Sequence, residues 1–150
     1  MVKPFRMVER FRDDYRLSTD PSKLDLDIVF DYLTNDSYWA SGRPRDVFDR
    51  SIENSLNLGI FIGNDQIGFA RVVTDRATFA WICDVFVLPA HRGRGLASWM
   101  IESILEHPDL QGLHSYFLAT RDAHSLYARY GFKPLDDPSR FMVIRNPTPI

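Results

Sequence analysis

A turn rich in glycine and arginine is the stretch whose residue types and spacing most directly suggest chemistry. Arg92, Gly93, Arg94 and Gly95 follow an apolar run, and a helical pattern begins immediately after them. Backbone N–H groups at the start of a helix have no partner within the helix, and the helix dipole adds partial positive charge there. Such a turn suits a phosphate group, so the pattern predicts that residues 92–97 bind the phosphates of a nucleotide or cofactor.

Spacing separates three kinds of phosphate-binding loop. The loop of nucleotide triphosphatases needs a second glycine followed by Lys and Ser or Thr, which this turn lacks. The dinucleotide fingerprint Gly-x-Gly-x-x-Gly needs a third glycine where the sequence has Ser98. A third pattern consists of Arg or Gln, two residues, Gly, one residue, and Gly or Ala. It is complete at Arg92, Gly95 and Ala97.

The stretch VFVLPAHRGRGLA at residues 85–97, followed by SLYARYGF at residues 125–132, resembles the GNAT superfamily of acyl-CoA N-acyltransferases. The resemblance covers residues 56–144. It implies a strand that bulges and splays from its neighbour, so that acetyl-CoA lies along the exposed edge. By the resemblance, the backbone of Phe86, Val87 and Leu88 binds the pantetheine arm. The pyrophosphate is expected to contact the amides of Arg92, Gly93, Arg94, Gly95, Leu96 and Ala97.

The resemblance also implies a reaction, in which the acetyl group of acetyl-CoA passes directly to a primary amine without a metal. Tyr127 falls on the family's position for the general acid that assists the departing sulfur. The N–H of Val87 falls on the position that stabilises the oxyanion of the tetrahedral intermediate. Thr120 stands where the family commonly has Asn, and we count it among the expected cofactor-binding residues although a hydroxyl offers fewer hydrogen bonds than an amide.

The base that accepts the proton of the amine is the least determined part of the predicted site. Asp84 interrupts an apolar strand, where a charge is costly unless it is paired or lies in a cleft. It is therefore the leading candidate for binding or deprotonating the amine, and an ion pair is the alternative. His91, His114 and His124 have suitable unperturbed pKa values but are more typical of surface histidines, and water could relay the proton. Cys83 could in principle carry an acyl group, although cysteines in apolar strands usually pack.

Four residues are candidates for contacting the acceptor amine. Tyr38 and Trp39 lie in the turn-rich stretch 35–44, where they either wall a substrate pocket or plug the core. Phe69 and Arg71 lie on a predicted strand, and Arg71 could bind a substrate carboxylate or form a surface ion pair. The expected acceptor is the amine of a small molecule. A protein or peptide amine is the nearest alternative, and a non-catalytic acyl-CoA-binding module is the rival of a different class.

Patterns of apolar residues and turn residues predict an α/β fold in which a mixed sheet is flanked by helices. A buried strand at 78–88, a helix at 94–106 and a strand at 113–119 form one crossover, so these two strands should be parallel. A capping box at Ser22 and Asp25 is expected to open the first helix. The remaining predicted elements are a strand at 14–18, helices at 23–33, 45–55 and 123–130, a hairpin at 56–62 and 66–74, and two final strands at 132–135 and 141–144.

Composition sets the broader limits. The 150 residues fit a single domain, residues 1–150 with a core at about 14–145, and the net charge of −2 gives no general electrostatic attraction to nucleic acid or anionic membranes. The single cysteine permits no intrachain disulfide, and no apolar run approaches the roughly 18 residues of a membrane span. These features predict a soluble, cytoplasmic protein without membrane or nucleic-acid partners. Edge strands near residues 132–144 offer a route to a homodimer.

Overall fold

Six strands form one sheet in the computed structural model, which describes residues 3–147. Each strand pairs antiparallel with the next along the chain, except that the last two are parallel. The parallel pair needs a crossover, which a helix on one face provides. The strands are β1 (Glu9–Arg12), β2 (Tyr15–Ser18), β3 (Leu56–Ile62), β4 (Asp65–Thr74), β5 (Phe79–Val87) and β6 (Ser115–Leu118).

Helices cover both faces of the sheet. They are α1 (Leu26–Asp31), α2 (Arg45–Glu53), α3 (Leu96–Leu105) and α4 (His124–Ala128), and a π-helical turn at Tyr32–Asp36 extends α1. Consecutive strand residues face opposite sides of a sheet. Accordingly Phe69 packs with α1 and α2, while its neighbour Ala70 packs in the cluster that contains α3. The two clusters fix β4 and β5 between layers, which makes these strands a rigid base for a site.

The mixed sheet with flanking helices is confirmed, and so are the hairpin of β3 and β4, the buried strand β5 and its parallel pairing with β6. The first turn of α1 differs from the expected capping box. Asp25 is itself the N-cap and accepts the N–H of Ile28 at 3.2 Å, while Asp20 caps a preceding 3-10 turn at Pro21–Lys23. The expected single cap is thus two N-caps, one at the start of the 3-10 turn and one at the start of α1.

Two expectations at the ends of the chain are wrong. No element was predicted before the strand at 14–18, yet β1 pairs with β2 and extends the sheet to Glu9. Residues 132–135 and 141–144 form no strand, and Met142 and Ile144 are 96% and 92% exposed. Strand-forming residue types favour an extended backbone, but a strand also needs a partner edge and a face that packs. Within residues 3–147, no helix is both long enough and apolar enough to cross a membrane.

Candidate active site

A bulge in β5 forms the centre of the candidate site. The register between β4 and β5 shifts between Phe69 and Arg71, so Asp84 and Val85 together lie opposite Ala70. Asp84 has a φ of 54°, in the left-handed region that non-glycine residues rarely adopt and that Asp tolerates better than most. A bulge of this kind bends the strand and increases its twist. The chain direction of β5 therefore changes at Asp84.

Strands β5 and β6 separate at the same position. Their pairing runs from Phe79 opposite Ser115 to Ile82 opposite Leu118, and β5 continues to Val87 without a partner on that side among the described residues. On the other side, the N–H of Leu88 donates to the carbonyl of Ile67 at 2.8 Å. Amides alternate in direction along a strand, so the N–H of Val87 points to the open edge. The bulge and the splay implied by the resemblance are thus confirmed.

The glycine turn connects this open edge to α3. Gly93 and Gly95 have φ values of 79° and 74°, a conformation that glycine adopts without steric penalty. Gly95 is the N-cap of α3, and its carbonyl accepts the first helical bond from the N–H of Trp99 at 3.0 Å. The amides ahead of Trp99 have no acceptor within the helix, and the positive end of its dipole lies there. The turn therefore offers a row of N–H donors suited to a phosphate.

The two arginine side chains of the turn brace it against the rest of the fold. Arg92 donates from Nε to the carbonyl of Val87 and from Nη2 to the hydroxyl of Tyr32, both at 2.9 Å. Arg94 donates from Nη1 to the hydroxyl of Tyr15 at 2.9 Å. These contacts hold the turn against β5, the π-helical turn and β2. The part of the turn that is open to an anion is its backbone, to which the guanidinium groups add positive charge.

Asp84 lies at the centre of a buried polar cluster. Its side chain is 2% exposed, and its Oδ1 accepts from Trp39 Nε1 at 2.9 Å and from Arg43 Nη2 at 3.4 Å. Its Oδ2 accepts from Arg43 Nη1 at 2.9 Å and from Arg71 Nε at 2.8 Å. Burial raises the pKa of Asp84, but the hydrogen bonds and charges of the two arginines outweigh it and hold the pKa below its usual value. The carboxyl group is therefore ionised at neutral pH.

This arrangement favours the ion pair over the amine base that the sequence suggested for Asp84. A carboxylate offers about four lone-pair positions, and four donors already occupy the two oxygens. A low pKa also makes a carboxylate a weak base. Asp84 is thus a positioning residue that fixes Trp39, Arg43 and Arg71 at the bulge.

A cavity of about 470 Å³ lies beside the splay of β5 and β6. Part of its wall comes from the segment between α1 and α2, which reaches across to the loop before α4. The Tyr38 hydroxyl accepts the N–H of Arg121 at 3.1 Å, and the Arg121 guanidinium lies 3.7 Å from the centre of the Tyr38 ring. The lining residues are Tyr38, Trp39, Arg43, Arg71, Trp81, Ile82, Cys83, Asp84, Val85, Ala119, Thr120, Arg121, Asp122, Ala123 and Tyr127.

Tyr127 lies on α4 between this cavity and a second one along β6. It is 8% exposed, and its hydroxyl bonds to no group of the described residues. Burial raises the pKa of the Tyr127 phenol above its usual value, and the nearby Tyr38 adds to the shift. The phenol therefore keeps its proton at neutral pH. Thr120 has a local role, since its hydroxyl oxygen accepts the N–H of Ala123 at 3.1 Å just ahead of α4.

Three further candidates lie in places that argue against the roles considered for them. Phe69 was expected to contact the acceptor, but its side chain is 0% exposed and packs against Phe86, so it is a core residue and that expectation is corrected. Burial raises the pKa of Cys83 to about 11, which keeps its thiol neutral. His91 bonds the Tyr15 hydroxyl through Nδ1 at 2.8 Å, on the far side of the glycine turn. A neutral thiol is a poor nucleophile, and an imidazole nitrogen that is already hydrogen-bonded is a poor base.

The other two histidines also lie away from the cavity. His114 bonds the hydroxyl of Ser115 at 2.8 Å, and His124 lines the second cavity. Among the described residues, no histidine contributes to the cavity beside the splay, and no three histidine, cysteine or carboxylate side chains come together as a metal site. None of the three histidines considered as a base therefore lies at this cavity.

Arg43 is the site residue that the sequence did not single out. Its signal was indirect, because an aspartate inside an apolar strand requires a cationic partner. Two arginines meet that requirement, and Arg43 is separated from Asp84 by 41 residues. Linear spacing gives no hint of that contact.

Comparisons with known proteins agree with the geometry. The family described as Acetyltransferase (GNAT) domain matches residues 56–134. A curated protein of Gibberella zeae named "Putative acetyltransferase FG08082" is 30% identical over 140 residues, which cover 79% of this chain and 78% of that protein. A crystal structure from Xanthomonas campestris pv. campestris, described as a "putative acetyltransferase belonging to the gnat family", is 47% identical. It superposes with a TM-score of 0.86 over 89% of this chain and 94% of the other.

A predicted acetyltransferase from Clostridium acetobutylicum, crystallised with acetyl-CoA, shares the fold. Its TM-score is 0.64 at 16% identity, over 87% of this chain and 94% of that one. The family match covers more than half of the chain and includes the bulge, the glycine turn and Tyr127. The chain belongs to the GNAT family of acetyltransferases and is an acyltransferase enzyme.

Proposed function

We propose that this enzyme transfers the acetyl group of acetyl-CoA to the primary amine of a small molecule by direct attack. The observation that carries the proposal is the place where β5 bulges and parts from β6, because an open strand edge, a glycine turn and a cavity meet there. The C. acetobutylicum protein of the same fold was crystallised with acetyl-CoA, which supports that co-substrate.

The residues at the splay fit the parts of acetyl-CoA. The pantetheine arm is an extended chain with amide groups, so it can take the place of a missing strand along Phe86, Val87 and Leu88. Its pyrophosphate suits the outward amides of the glycine turn. The side chain of Arg92 already occupies the carbonyl of Val87. We therefore expect the N–H of Val87, rather than its carbonyl, to bond the bound molecule.

Acetyl-CoA supplies an activated thioester, and the reaction joins the amine nitrogen to its carbonyl carbon. As the N–C bond forms and the C–S bond breaks, one proton leaves the nitrogen and the sulfur departs as thiol. The N–H of Val87 points to the open edge, where it can stabilise the oxyanion of the intermediate. The neutral phenol of Tyr127 can donate a hydrogen bond to the sulfur as negative charge develops. Its raised pKa makes full proton transfer to a thiolate unfavourable, so stabilisation by that hydrogen bond is its main contribution.

Direct transfer agrees with the state of Cys83. A thiol with a pKa of about 11 is almost entirely protonated at neutral pH, and the thiolate is the nucleophilic form. We therefore propose no acyl-enzyme on Cys83. The amine is expected to lose its proton to water before it attacks, because the carboxylate of Asp84 is saturated with donors.

The enclosure of the cavity favours a small acceptor over a lysine on a folded protein. Tyr38 and Trp39 lie on one side of the cavity, and Arg121 contacts Tyr38 across one end of it. A peptide amine is the second candidate. A non-catalytic acyl-CoA-binding module is less well supported, because such a protein needs no phenol at the position of Tyr127.

Release of free thiol from acetyl-CoA tests the proposal. Purified enzyme is incubated with acetyl-CoA and a panel of amino acids, alkylamines, polyamines and lysine-containing peptides. We expect amine-dependent thiol release with at least one small amine and weaker release with peptides. Release with peptides alone supports the second candidate. Tight binding of CoA without thiol release from any amine contradicts the proposed transferase activity.

We also propose the cytoplasmic location and the homodimer that the sequence predicts. For the homodimer, Met142 and Ile144 expose large apolar side chains, and β6 has no partner on its outer edge among residues 3–147. We propose that a second copy covers these residues. Sedimentation velocity of the wild type and of a Met142→Lys, Ile144→Lys variant tests this. Wild-type protein that stays monomeric over a 100-fold range of protein concentration contradicts it.

A further inference from the structure

Charge is unbalanced at the floor of the acceptor cavity. Arg43 and Arg71 both pair with the single carboxylate of Asp84, and the side chains of the three residues are 9%, 12% and 2% exposed. Two cations and one anion leave one positive charge in a poorly solvated place. Uncompensated charge is costly there, so the floor is favourable for a group that brings one negative charge.

Both arginines have donors to spare. A guanidinium carries five N–H groups. Arg43 uses Nη1 and Nη2 on Asp84, whereas Arg71 uses Nε on Asp84 and Nη1 on the hydroxyl of Ser55. Arg43 Nε and Arg71 Nη2 have no hydrogen-bond partner among the described residues. Neither atom belongs to the fully buried polar atoms of those residues that lack a partner. Both residues line the cavity, and neither of these nitrogens is fully buried.

The rest of the cavity wall does not cancel this charge. Arg121 and Asp122 contribute one charge of each sign, and both are exposed at the rim. The walls are otherwise mainly apolar and include three aromatic residues. Tyr38 and Trp81 are 47% and 39% exposed, and Trp39 is fixed by its bond to Asp84. The interior thus combines apolar surface with a net positive floor, which disfavours a second ammonium group on the acceptor.

We infer that the acceptor amine also carries a carboxylate, and that Arg43 and Arg71 bind it. This inference rests on the proposed function, because it names the class of amine that the enzyme acetylates. One excess positive charge matches the single negative charge of a carboxylate more closely than the near-double charge of a phosphate. Planar guanidinium groups also present pairs of N–H donors that suit the two oxygens of a carboxylate.

The first test compares amines that differ only in the anionic group. Values of kcat/KM are measured by thiol release for 6-aminohexanoate, 6-aminohexanamide and hexylamine, and for L-phenylalanine and phenethylamine. Phosphoethanolamine tests phosphate as the anion. We expect at least one carboxylate to exceed its uncharged counterpart by about 10-fold or more, since hydrogen bonds to charged groups are typically worth this much. Equal values within both sets, or a clear preference for phosphoethanolamine, overturn the inference.

The second test removes the excess charge. Arg71→Gln and Arg43→Gln each leave Asp84 with one arginine, so the buried charges become equal in number and the cluster keeps an ion pair. Arg50→Gln is the control, because Arg50 is an exposed arginine on α2 outside the cavity. We expect either cavity variant to lose most of the preference for the carboxylate, mainly through KM, while Arg50→Gln keeps it. An unchanged preference in both folded cavity variants contradicts the assignment.

A binding measurement separates this inference from the proposed function. Binding of hexanoate and of hexanamide to the enzyme with CoA is followed by calorimetry, and neither compound can be acetylated. Binding of hexanoate that is weaker in Arg71→Gln supports the carboxylate site even if no amine is turned over. Turnover of amines without any preference for carboxylates, together with equal binding of hexanoate and hexanamide, removes the carboxylate site and leaves the transferase activity intact.

Discussion

The two halves of the candidate active site are built in different ways. The half that faces the cofactor comes from one continuous stretch, residues 85–97, and acts mainly through backbone amides. The half that faces the acceptor joins side chains from separate segments, with Trp39 and Arg43 contacting Asp84 across 45 and 41 residues. The first half needs only the correct local conformation, whereas the second half needs the whole fold.

This difference indicates which property a substitution in each half should change. A change in the continuous half is expected to alter CoA affinity with a small effect on stability. A change in the dispersed half is expected to alter stability or acceptor choice and to leave CoA binding intact. Tyr127 belongs to neither pattern, because it is the side chain that we propose acts in the chemical step.

The largest expected effect is on turnover in Tyr127→Phe. Removal of the phenolic hydroxyl should lower kcat by about 10²- to 10³-fold, the usual cost of losing one hydrogen-bond donor to a developing negative charge, because the departing sulfur loses that donor. The affinity for CoA should be unchanged. Steady-state thiol release and calorimetry with CoA measure the two quantities. Tyr130→Phe is the matched control on the same side of the domain, and full turnover in Tyr127→Phe removes this residue from the mechanism.

The next effect is on stability in Asp84→Asn. Loss of the carboxylate leaves two guanidinium groups in a poorly solvated cluster, and breaking one member of a buried ion pair typically costs about 3–5 kcal/mol. Urea denaturation measures the free energy of unfolding. Asp49→Asn is the control, since the exposed pair of Asp49 with Arg45 should contribute less than about 1 kcal/mol. Equal losses in the two variants contradict the buried-cluster account.

The pH dependence of the same cluster follows from the lowered pKa of Asp84. In the unfolded chain an aspartate has a pKa of about 3.9. Because the folded-state pKa is lower, the stabilisation by Asp84 is fully present above the unfolded-state value and is lost as the pH falls through the folded-state value. Unfolding midpoints of wild type and Asp84→Asn should therefore differ by a constant amount between pH 5 and 8 and converge in acid. A difference that grows from pH 5 to 8 argues against this assignment.

A smaller effect is expected in Gly95→Ala. An added Cβ at Gly95 meets only Arg12 Nη1, at 3.8 Å, so the cost comes from the positive φ and not from a clash. That cost is about 1–2 kcal/mol. If the turn shifts to relieve this strain, its amides move and CoA binding should weaken by about 10-fold. Gly63→Ala carries similar strain at φ 59° in the hairpin and is the control. Calorimetry should show unchanged CoA affinity in Gly63→Ala, and an equal loss in both variants contradicts the role of the turn.

The smallest change is a displacement of the pH profile. If the amine loses its proton to water, the rising limb of kcat/KM should follow the pKa of the acceptor and not that of an enzyme group. Two acceptors whose amine pKa values differ by about two units should give limbs displaced by about the same amount. A limb that stays at one pH for both acceptors points to a base on the protein.

Much of the cofactor half could be predicted from the sequence because its determinants are local. The glycines at 93 and 95 are required by positive φ, and the apolar run before them is long enough to be a buried strand. The acceptor half was less predictable. Asp84 could be recognised as needing a partner, but the contacts with Arg43 and Trp39 depend on how the segment between α1 and α2 folds back over the sheet.

Two other differences between the sequence-based expectations and the structure have the same origin. Phe69 and Arg71 lie two residues apart on β4 and share the face toward α1 and α2, yet Phe69 is covered by the core while Arg71 bonds Asp84 and lines the cavity. Strand-forming types at 132–135 and 141–144 gave no strands, because pairing depends on a partner edge that composition does not specify. The sequence pattern thus predicts which face a strand residue takes, but not what packs over that face or which edge pairs with the strand.

The most direct test of the account is a titration of the ¹⁵N-labelled enzyme with CoA, followed by backbone amide shifts. We expect the largest changes in chemical shift at the amides of Val87, Gly93, Gly95 and Leu96, with saturation at one equivalent of CoA. The amide of Gly63 in the hairpin should not move. CoA binding that shifts other amides and leaves these four unchanged contradicts the assignment of the open edge and the glycine turn to the cofactor.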